Sequence, residues 1–181
     1  MVALTKKDIR QAHTAARKKL SAEHKAAKDA ALADAILPLL DGKKIAAYHP
    51  LPSEPGGEGF VEKLHAAADE VWLPLSGAEG ELTWCLYQGS DSMVPGALGI
   101  LEPLGEKYDS TKLAELDIIF APALAVDQSG MRLGKGAGYY DRALAAANPR
   151  PHVIAVLYAE EVIEKVPHHN HDQPVDAVIT D

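Results

Sequence analysis

The stretch GMRLGKGAGYYDRAL, residues 130–144, carries glycine at positions 134, 136 and 138 and runs directly into a helical pattern. Glycine loses more conformational entropy on ordering than any other residue, so a chain needs a reason to retain several of them together. An apolar segment typical of a strand precedes the stretch. We therefore predict a strand–loop–helix connection. The free N–H groups of its loop and helix start form a cradle for an anion.

Helix and strand patterns alternate on both sides of this stretch. Helices are predicted at residues 5–20, 21–40 with a bend or stop near Pro38, 60–68 and 139–147. Strands are predicted at residues 43–48, 70–75, 82–87, 152–158 and 177–180, and Pro122 makes residues 117–126 two short strands or one bent strand. A Pro/Gly loop at 49–59 and a long Gly/Pro-broken segment at 88–111 complete the chain.

This alternation predicts an α/β fold. We expect a single three-layer α/β/α domain over residues 1–181, with a mostly parallel sheet and the N-terminal helices packed on it. The composition agrees, because 181 residues with 47% hydrophobic and 24% charged residues are typical of one soluble globular domain.

The single cysteine, Cys85, lies in the apolar run LTWCLY and is interpreted as a buried, unreactive thiol. Trp72 and Trp84 are likewise predicted to belong to the core. Residues 1–20 have no apolar core of a signal peptide, and no apolar run reaches the length of a membrane span. We therefore expect a cytoplasmic protein without a membrane partner.

The net charge of -8 argues against nucleic acid as a partner, but the charge is uneven. Residues 1–25 hold seven Lys/Arg against two acids, and residues 130–144 hold three against one. Two basic islands in an acidic chain indicate a small anionic ligand held between them. For the first island, the solvated face of an amphipathic helix remains an equal alternative.

The chemistry of the glycine stretch suits phosphate. Arg132 and Lys135 supply full positive charges, and Asp141, one turn into the helix, is placed to hold a magnesium ion that bridges phosphates. The stretch is not a Walker loop, because GxxxxGK[ST] is absent. A dinucleotide-binding oxidoreductase stays an alternative, with Glu160 as the ribose-binding acid, although the spacing is GxGxG rather than GxGxxG.

Five segments in order resemble one family, the 5-formyltetrahydrofolate cyclo-ligases, also called 5,10-methenyltetrahydrofolate synthetases. The most specific is RLGKGAGYYDR, preceded by LDIIFAPALAVDQSG. The others are KKDIR, YHPLPSE, LGILEP, and VIAVLYAEEVIEKVP followed by HDQPVDAVITD. Two departures are visible: Ala137 replaces the usual Gly or Lys, and Pro55-Gly56-Gly57 replaces a Val/Ile-acid-Thr pattern.

The resemblance implies an ATP-dependent cyclisation. ATP phosphorylates the oxygen of the N5-formyl group of 5-formyltetrahydrofolate, and N10 of the same substrate then attacks the formyl carbon. The products are 5,10-methenyltetrahydrofolate, ADP and phosphate. Because the nucleophile belongs to the substrate, no nucleophilic side chain is required. A non-catalytic nucleotide-binding protein is the remaining alternative.

The resemblance also assigns the residues. Arg132 and Lys135 are implied to be catalytic, and Asp141 and Asp172 to coordinate Mg²⁺. The implied ATP-binding residues are Lys6, Lys7, Arg10, Arg132, Leu133, Gly134, Lys135, Gly136, Ala137, Gly138, Tyr139 and Tyr140. The implied substrate-binding residues are His49, Glu54, Lys135, Gly136, Gly138 and Tyr139. Tyr139 is expected to face the site and Tyr140 to pack beneath the helix. The protein is expected to be a monomer whose partners are small molecules.

Several of these residues have simpler explanations. Lys6 and Arg10 are also compatible with solvated helix charges, Asp141 with a helix-dipole acid and Glu54 with a solvated loop residue. VPHHNHD, residues 166–172, places His168, His169 and His171 near Asp172 and suggests a zinc site as a rival. We interpret it as a polar loop with one functional acid, Asp172.

Overall fold

A seven-stranded sheet organises the fold in the computed structural model, which describes residues 3–96 and 100–181. The α-helices of these residues are α1 (Lys6–Lys19), α2 (Ala22–Ile36), α3 (Phe60–Ala67) and α4 (Tyr139–Ala146). The strands are β1 (Lys44–Ala46), β2 (Glu70–Ser76), β3 (Leu82–Leu86), β4 (Met93–Pro95), β5 (Leu101–Pro103), β6 (Lys107–Tyr108), β7 (Ile118–Pro122), β8 (Ala125–Asp127), β9 (Arg132–Leu133), β10 (His152–Val156), β11 (Val162–Ile163) and β12 (Ala177–Ile179). Leu98 and Gly99 of the LGILEP segment lie outside the described residues.

The main sheet has the strand order β12-β10-β7-β1-β2-β3-β6. Every pairing from β12 to β2 is parallel, and the pairings of β3 with β2 and β6 are antiparallel. The predicted mostly parallel sheet is therefore confirmed. A smaller sheet of β11, β8 and β9 and a β4–β5 hairpin lie beside it.

Helices cover both faces of the main sheet. Leu32 of α2 and Leu64 of α3 belong to the core on one face. Leu144 of α4 and Leu113 of the 3-10 turn Ser110–Glu115 belong to the core on the other face. The predicted three-layer α/β/α arrangement is therefore confirmed. Helix α1 differs from the prediction, because Ile9 packs it against the smaller sheet.

Local signals explain where the first two helices begin and end. Thr5 and Asp8 form a reciprocal capping box before α1, and the Ser21 side chain accepts from the backbone N–H of His24 to begin α2. Helix α2 changes into a 3-10 turn at Leu37–Leu39, so the predicted stop near Pro38 is confirmed.

In the described part of the chain, no helix combines the length and apolarity needed to cross a membrane.

Other boundaries differ from the predictions. Strand β1 ends at Ala46 rather than at residue 48, as the chain approaches Pro50, which has no N–H for a strand ladder. Residues 117–126 form two strands, because the chain leaves the main sheet after Pro122 and β8 joins the smaller sheet. The short strands within residues 88–111, and strands β9 and β11, were not predicted. Two or three residues are too few to display a period.

The predicted core residues are buried. Trp72, Trp84 and Cys85 have at most 5% of their surface exposed, and the indole N–H of Trp84 donates to Ser110 Oγ. Burial raises the pKa of the Cys85 thiol, which disfavours the reactive thiolate. These residues are therefore part of the packing between the sheet and its helices.

The strand order reverses direction at β1. From β1 the chain passes through α3 to β2 on one side, whereas β7 on the other side leads to β10 and β12. Where parallel strands diverge in this way, a crevice opens at their carboxyl ends, and ligands bind there in open α/β sheets. The loops that follow β1 and β7 carry Tyr48, His49 and Ala123 into this crevice.

A buried ion pair attaches α1 to this edge of the sheet. Arg17 Nε and Nη2 donate to the two carboxylate oxygens of Glu161 at 2.7 and 2.8 Å, and Nη2 also donates to the Ala123 carbonyl at 2.6 Å. Glu161 accepts from the backbone N–H of Tyr158 as well. The two side chains are 5% and 6% exposed, so the pair is shielded from water.

Replacing Glu161 with Gln is expected to lower the free energy of unfolding by about 3 kcal/mol, because the buried Arg17 charge loses its partner. Urea denaturation of both proteins measures the difference. Glu160→Gln is the matched control, because the neighbouring side chain is 72% exposed. Equal stability of Glu161→Gln and Glu160→Gln would contradict the assigned role of the pair.

Candidate active site

The crevice at the carboxyl edge of the sheet contains a cavity of about 300 Å³. It is lined by α1, by the loops after β1 and β7, by the glycine stretch and by the loop before β12. Among the described residues, Lys6, Arg10, Arg17, Arg132 and Lys135 line it, against Glu54, Asp141 and Asp172. This local excess of positive charge in an acidic protein favours an anionic ligand.

The glycine stretch forms one wall of the cavity. It follows β9 and enters α4, as predicted, and residues Arg132 to Asp141 all line the cavity. Gly136 and Gly138 have φ angles of 115° and 73°, in the region that residues with a Cβ rarely adopt. Gly138 precedes α4 and has no side chain to cap it, so the first N–H groups of the helix remain available for a ligand.

Arg132 is the most buried cation of this wall. Its Nη1 donates to the Pro122 carbonyl at 2.7 Å, and its Nη2 lies 3.9 Å from Asp141 Oδ1. Burial lowers the pKa of Arg132, and the Asp141 carboxylate opposes that effect. Within the described residues, Arg132 Nε is buried without a hydrogen-bond partner. An unsatisfied buried donor of a cation is suited to an anionic oxygen.

Helix α1 brings Lys6 and Arg10 to the cavity from the opposite side. Lys6 Nζ donates to Asp172 Oδ2 at 2.7 Å, and Arg10 Nε donates to the Gly134 carbonyl at 2.8 Å. Both side chains are half-buried and line the cavity, so neither is simply a solvated charge. Lys7 is exposed and lies outside the lining formed by the described residues, because adjacent helical residues point about 100° apart. The structure therefore does not bring Lys7 to the other predicted ATP-binding residues.

The two predicted metal ligands, Asp141 and Asp172, are 31 positions apart and both line the cavity. The backbone N–H of Gln173 donates to Asp141 Oδ1 at 3.0 Å, which joins the Asp172 loop to α4. Asp172 Oδ2 accepts from Lys6 and from the His169 N–H. Burial opposes ionisation of Asp172, but these hydrogen bonds lower its pKa. Mg²⁺ in phosphate sites takes one or two carboxylates besides phosphate and water oxygens, so this donor set fits it.

The loop after β1 supplies the other side of the cavity. His49 and Glu54 both line it, and Glu54 is only 7% exposed, so it is not a solvated loop residue. Its Oε1 accepts from the Leu51 N–H at 2.8 Å, and its Oε2 lies 3.4 Å from Lys135 Nζ. The glycine stretch and this loop therefore meet through an ion pair across the cavity.

The two tyrosines at the start of α4 both line the cavity. Tyr139 faces the Arg142 guanidinium, 5.7 Å from the ring centroid. Tyr140 packs edge-on against Trp84, as expected of a residue beneath the helix, but its ring also lies 5.5 Å from Arg132 Cζ. Its hydroxyl is buried and has no hydrogen-bond partner among the described residues, and burial raises its pKa. Tyr140 therefore combines packing with access to the cavity.

A polar stripe along one face of α1 was not predicted. His13 Nδ1 contacts the Leu124 carbonyl and Arg17 Nη2 the Ala123 carbonyl, both in the loop after β7. Together with Lys6 and Arg10, these side chains lie at positions i, i+4, i+7 and i+11. That spacing marks one helix face, so the signal was present in the sequence.

Asp127 was not predicted as a structural residue beside the site. Its Oδ1 accepts from the N–H and hydroxyl of Ser129 and from the N–H of Met131, and its Oδ2 accepts from the Val166 N–H. The carboxylate therefore shapes the turn immediately before the cradle. The signal was the Asp-x-Ser-Gly sequence, which is typical of a turn closed by an aspartate side chain.

The structure gives no support to two alternatives. No group of three or more His, Cys, Asp or Glu residues is arranged for a metal ion within residues 3–96 and 100–181. The rings of His169 and His171 stack on each other instead, with centroids 5.7 Å apart. Glu160, the ribose-binding acid of the dinucleotide alternative, pairs with Lys28 and does not line the cavity in the described part of the chain.

The fold and cavity define an α/β protein with a cationic, glycine-rich cradle at the carboxyl edge of its sheet. The chain belongs to the 5-formyltetrahydrofolate cyclo-ligase family, whose family model matches residues 2–181. The family resemblance seen in the sequence and the predicted enzyme class, a ligase, are therefore confirmed.

Individual relatives agree with this assignment. The 5-formyltetrahydrofolate cyclo-ligase of Mycolicibacterium smegmatis is 36% identical over 146 residues, which cover 78% of this chain and 75% of that protein. The Escherichia coli protein of the same name is 29% identical over 146 residues, covering 79% and 80%. The solved structure of Aquifex aeolicus 5,10-methenyltetrahydrofolate synthetase is 28% identical, has a TM-score of 0.79 and covers 97% of this chain and 89% of that chain.

Asp127→Asn is expected to lower the free energy of unfolding by about 2 kcal/mol near neutral pH, because the carboxylate loses charge-assisted hydrogen bonds. Burial opposes ionisation of Asp127, but its hydrogen bonds hold the pKa below the usual value. The stabilisation is therefore complete above about pH 4, the unfolded-state pKa, and is lost as the pH falls through the lower folded-state pKa.

Denaturant unfolding of both proteins across the acid range tests this prediction. The stability difference between the wild type and Asp127→Asn should shrink as the pH falls below about 4. Asp41→Asn, at an exposed position, is the control and should parallel the wild type. A difference that stays constant with pH would contradict the assignment.

Proposed function

We propose that this protein converts 5-formyltetrahydrofolate to 5,10-methenyltetrahydrofolate with ATP as co-substrate and Mg²⁺ as cofactor. One observation carries the proposal. Lys135 Nζ in the glycine stretch lies 3.4 Å from Glu54 Oε2 in the loop after β1. The cradle suited to phosphate and the loop proposed to hold the pterin are therefore adjacent walls of one cavity, as transfer of a phosphoryl group from one ligand to the other requires.

The reaction consists of two substitutions. The formyl oxygen attacks the γ-phosphorus of ATP, an O–P bond forms, and ADP leaves. N10 then attacks the formyl carbon, a C–N bond forms, N10 releases its proton to the medium, and the C–O bond breaks to release phosphate. Phosphorylation is needed because an amide oxygen is a poor leaving group. No side chain has to form a covalent bond, so the protein's contribution is positioning and charge stabilisation.

The cradle side is proposed to bind ATP. The N–H groups of residues 134–138 and of the α4 start face the phosphates, and Lys6 and Arg10 add charge from α1. Arg132 and Lys135 are the proposed catalytic residues, because they are placed to stabilise the charge of the transferring phosphoryl group. Mg²⁺, held by Asp141 and Asp172, would neutralise phosphate charge.

The loop side is proposed to bind the folate. Glu54 accepts hydrogen bonds from the pterin, while His49 and Tyr139 provide further contacts. Lys135 belongs to both sides, because it pairs with Glu54 and carries its charge into the cradle.

We also propose that the chain acts as one domain over residues 1–181 and as a monomer. The contact of Lys6 with Asp172 joins its two ends.

The direct test is to mix the purified protein with 5-formyltetrahydrofolate, ATP and Mg²⁺ and to follow the ultraviolet absorbance of the methenyl product. Absorbance that grows only when all three are present supports the proposal. ATP binding by calorimetry without any product would instead support a non-catalytic nucleotide-binding protein. A spectroscopically detectable bound nicotinamide cofactor would support the oxidoreductase alternative.

Lys135→Ala is expected to lower kcat by about 10²- to 10³-fold, because a cation directed at the transferring phosphoryl group acts mainly in the transition state. The dissociation constant of 5-formyltetrahydrofolate, measured by calorimetry, should change far less. Lys63→Ala, on the exposed face of α3, is the matched control. An unchanged kcat in Lys135→Ala would remove Lys135 from the mechanism.

Asp141→Asn is expected to raise the Mg²⁺ concentration for half-maximal rate by about tenfold or more, because the neutral amide is a weaker ligand for a hard cation. A titration of the initial rate with Mg²⁺ at saturating ATP measures the shift. Asp41→Asn serves again as the exposed control. If the Mg²⁺ titrations of Asp141→Asn and the wild type coincide, Asp141 is not a metal ligand.

A further inference from the structure

A buried carboxylate behind the cavity has no part in the proposed chemistry. Asp29 of α2 is 8% exposed, and three donors converge on it. Its Oδ1 accepts from the Tyr158 hydroxyl at 2.7 Å and from the Gly56 N–H at 3.0 Å, and its Oδ2 accepts from Lys25 Nζ at 2.6 Å. The three donors satisfy the buried carboxylate and bring α2, the end of β10 and the loop after β1 to one point.

The same contacts hold the loop that carries Glu54. Lys25 Nζ makes a second donation, to the Glu54 carbonyl, at 2.9 Å. The Tyr48 hydroxyl donates to the Pro55 carbonyl at 2.7 Å, and the Gly56 N–H donates to the α2 carboxylate. The two consecutive peptide groups 54–55 and 55–56 are therefore fixed by Lys25 and Asp29 of α2 and by Tyr48 at the start of the loop.

Two of the glycines in this loop, Gly56 and Gly57, allow it to approach the Asp29 anchor, which consists of Lys25, Asp29 and Tyr158. Gly57 has a φ of 74°, and a Cβ there would lie 2.6 Å from Asp29 Oδ2. A Cβ on Gly56 would lie 2.9 Å from the Phe60 ring. A Cβ at Gly57 would push the loop away from α2, and a Cβ at Gly56 would press against Phe60 of α3. The Pro55-Gly56-Gly57 sequence, which departs from the family pattern, therefore allows the close approach on which the Asp29 contacts depend.

Lys25, Asp29 and Tyr158, which form the anchor, affect the cavity only through the position of Glu54. Lys25, Asp29 and Tyr158 do not line the cavity in the part of the chain that the structure describes, whereas Glu54 does. The Leu51 N–H of the same loop donates to Glu54 Oε1. The Glu54 carboxylate therefore moves together with the backbone of the loop. A shift of the loop would therefore move Oε2 relative to Lys135 and to any ligand between the walls.

We propose that Asp29, Lys25 and Tyr158 are positioning residues that hold Glu54 in the geometry needed to bind the folate substrate. The inference rests on the proposed function, in which Glu54 contacts the pterin. It assigns to α2 and to the end of β10 a role in folate affinity, separate from the ATP side formed by α1 and the glycine stretch. A small misplacement of a binding group is sufficient to lose much of its effect.

Asp29→Asn tests the proposal, because it keeps the shape of the side chain but presents a neutral amide to Lys25 and Gly56. The KM for 5-formyltetrahydrofolate is expected to rise about tenfold, and the KM for ATP to change less than about twofold. Asp34→Asn, an exposed residue of the same helix, is the matched control and should leave both KM values unchanged. Equal increases in both KM values would indicate a merely structural role and would overturn the proposal.

A double-mutant cycle with Glu54→Gln separates positioning from general damage. If Asp29 acts through Glu54, adding Asp29→Asn to Glu54→Gln should change the folate KM by less than about twofold. Independent, multiplicative increases would overturn the proposal. Tyr158→Phe keeps the ring and loses one donor, so it should raise the folate KM about threefold while remaining folded. It carries the test if Asp29→Asn does not fold.

The same variants distinguish failure of the inference from failure of the proposed function. If the wild type binds 5-formyltetrahydrofolate by calorimetry without forming the methenyl product, the proposed function fails, and the dissociation constant replaces KM as the readout. A folate dissociation constant that is identical in the wild type, Asp29→Asn and Tyr158→Phe overturns the inference. A wild type that does not bind 5-formyltetrahydrofolate overturns both.

Discussion

The buried pair of Arg17 and Glu161 is the interaction on which the arrangement of the cavity depends. It joins α1 to the Ala123 carbonyl after β7 and, through Glu161, to the Tyr158 N–H after β10. The pair thereby holds α1 and the ends of the neighbouring strands β7 and β10 together at the carboxyl edge of the sheet. A buried ion pair adds little net stability compared with apolar packing, but losing one partner is costly, so the geometry is strongly specified.

The attachment of α1 by the Arg17–Glu161 pair determines how charge is distributed around the cavity. Because α1 lies across the carboxyl edge, Lys6 reaches Asp172 and Arg10 reaches the glycine stretch. On the other wall, Lys135 faces Glu54. Pairing cations with carboxylates reduces the penalty for gathering like charges in a small space, while the remaining excess of cations suits a polyphosphate. Tyr158 links the two walls, since its backbone contacts Glu161 and its hydroxyl contacts Asp29.

The sequence was sufficient for features with a local signature. The strand–glycine loop–helix connection and the three layers followed from periodicity and glycine spacing, and the family resemblance named Asp141 and Asp172, which both line the cavity. The resemblance grouped Lys7 with Lys6, but a helix separates adjacent side chains by about 100°, and among the described residues only Lys6 of the two lines the cavity. Strands β9 and β11 were too short to show a period. Lys25 is the i,i+4 partner of Asp29, but the proposed role of Asp29 also depends on Tyr158 and Gly56 from distant segments, and a single sequence carries no signal for those contacts.

The central claim is that both ligands share one cavity and that the phosphoryl group passes from ATP to the formyl oxygen. The most direct measurement uses 5-formyltetrahydrofolate with a heavy-oxygen label in the formyl group and determines the isotopic mass of the phosphate released during turnover. The account predicts that the label appears in phosphate in proportion to the methenyl product. Unlabelled phosphate, with the heavy oxygen found in water, would contradict transfer to the formyl oxygen and with it the proposed roles of Arg132 and Lys135.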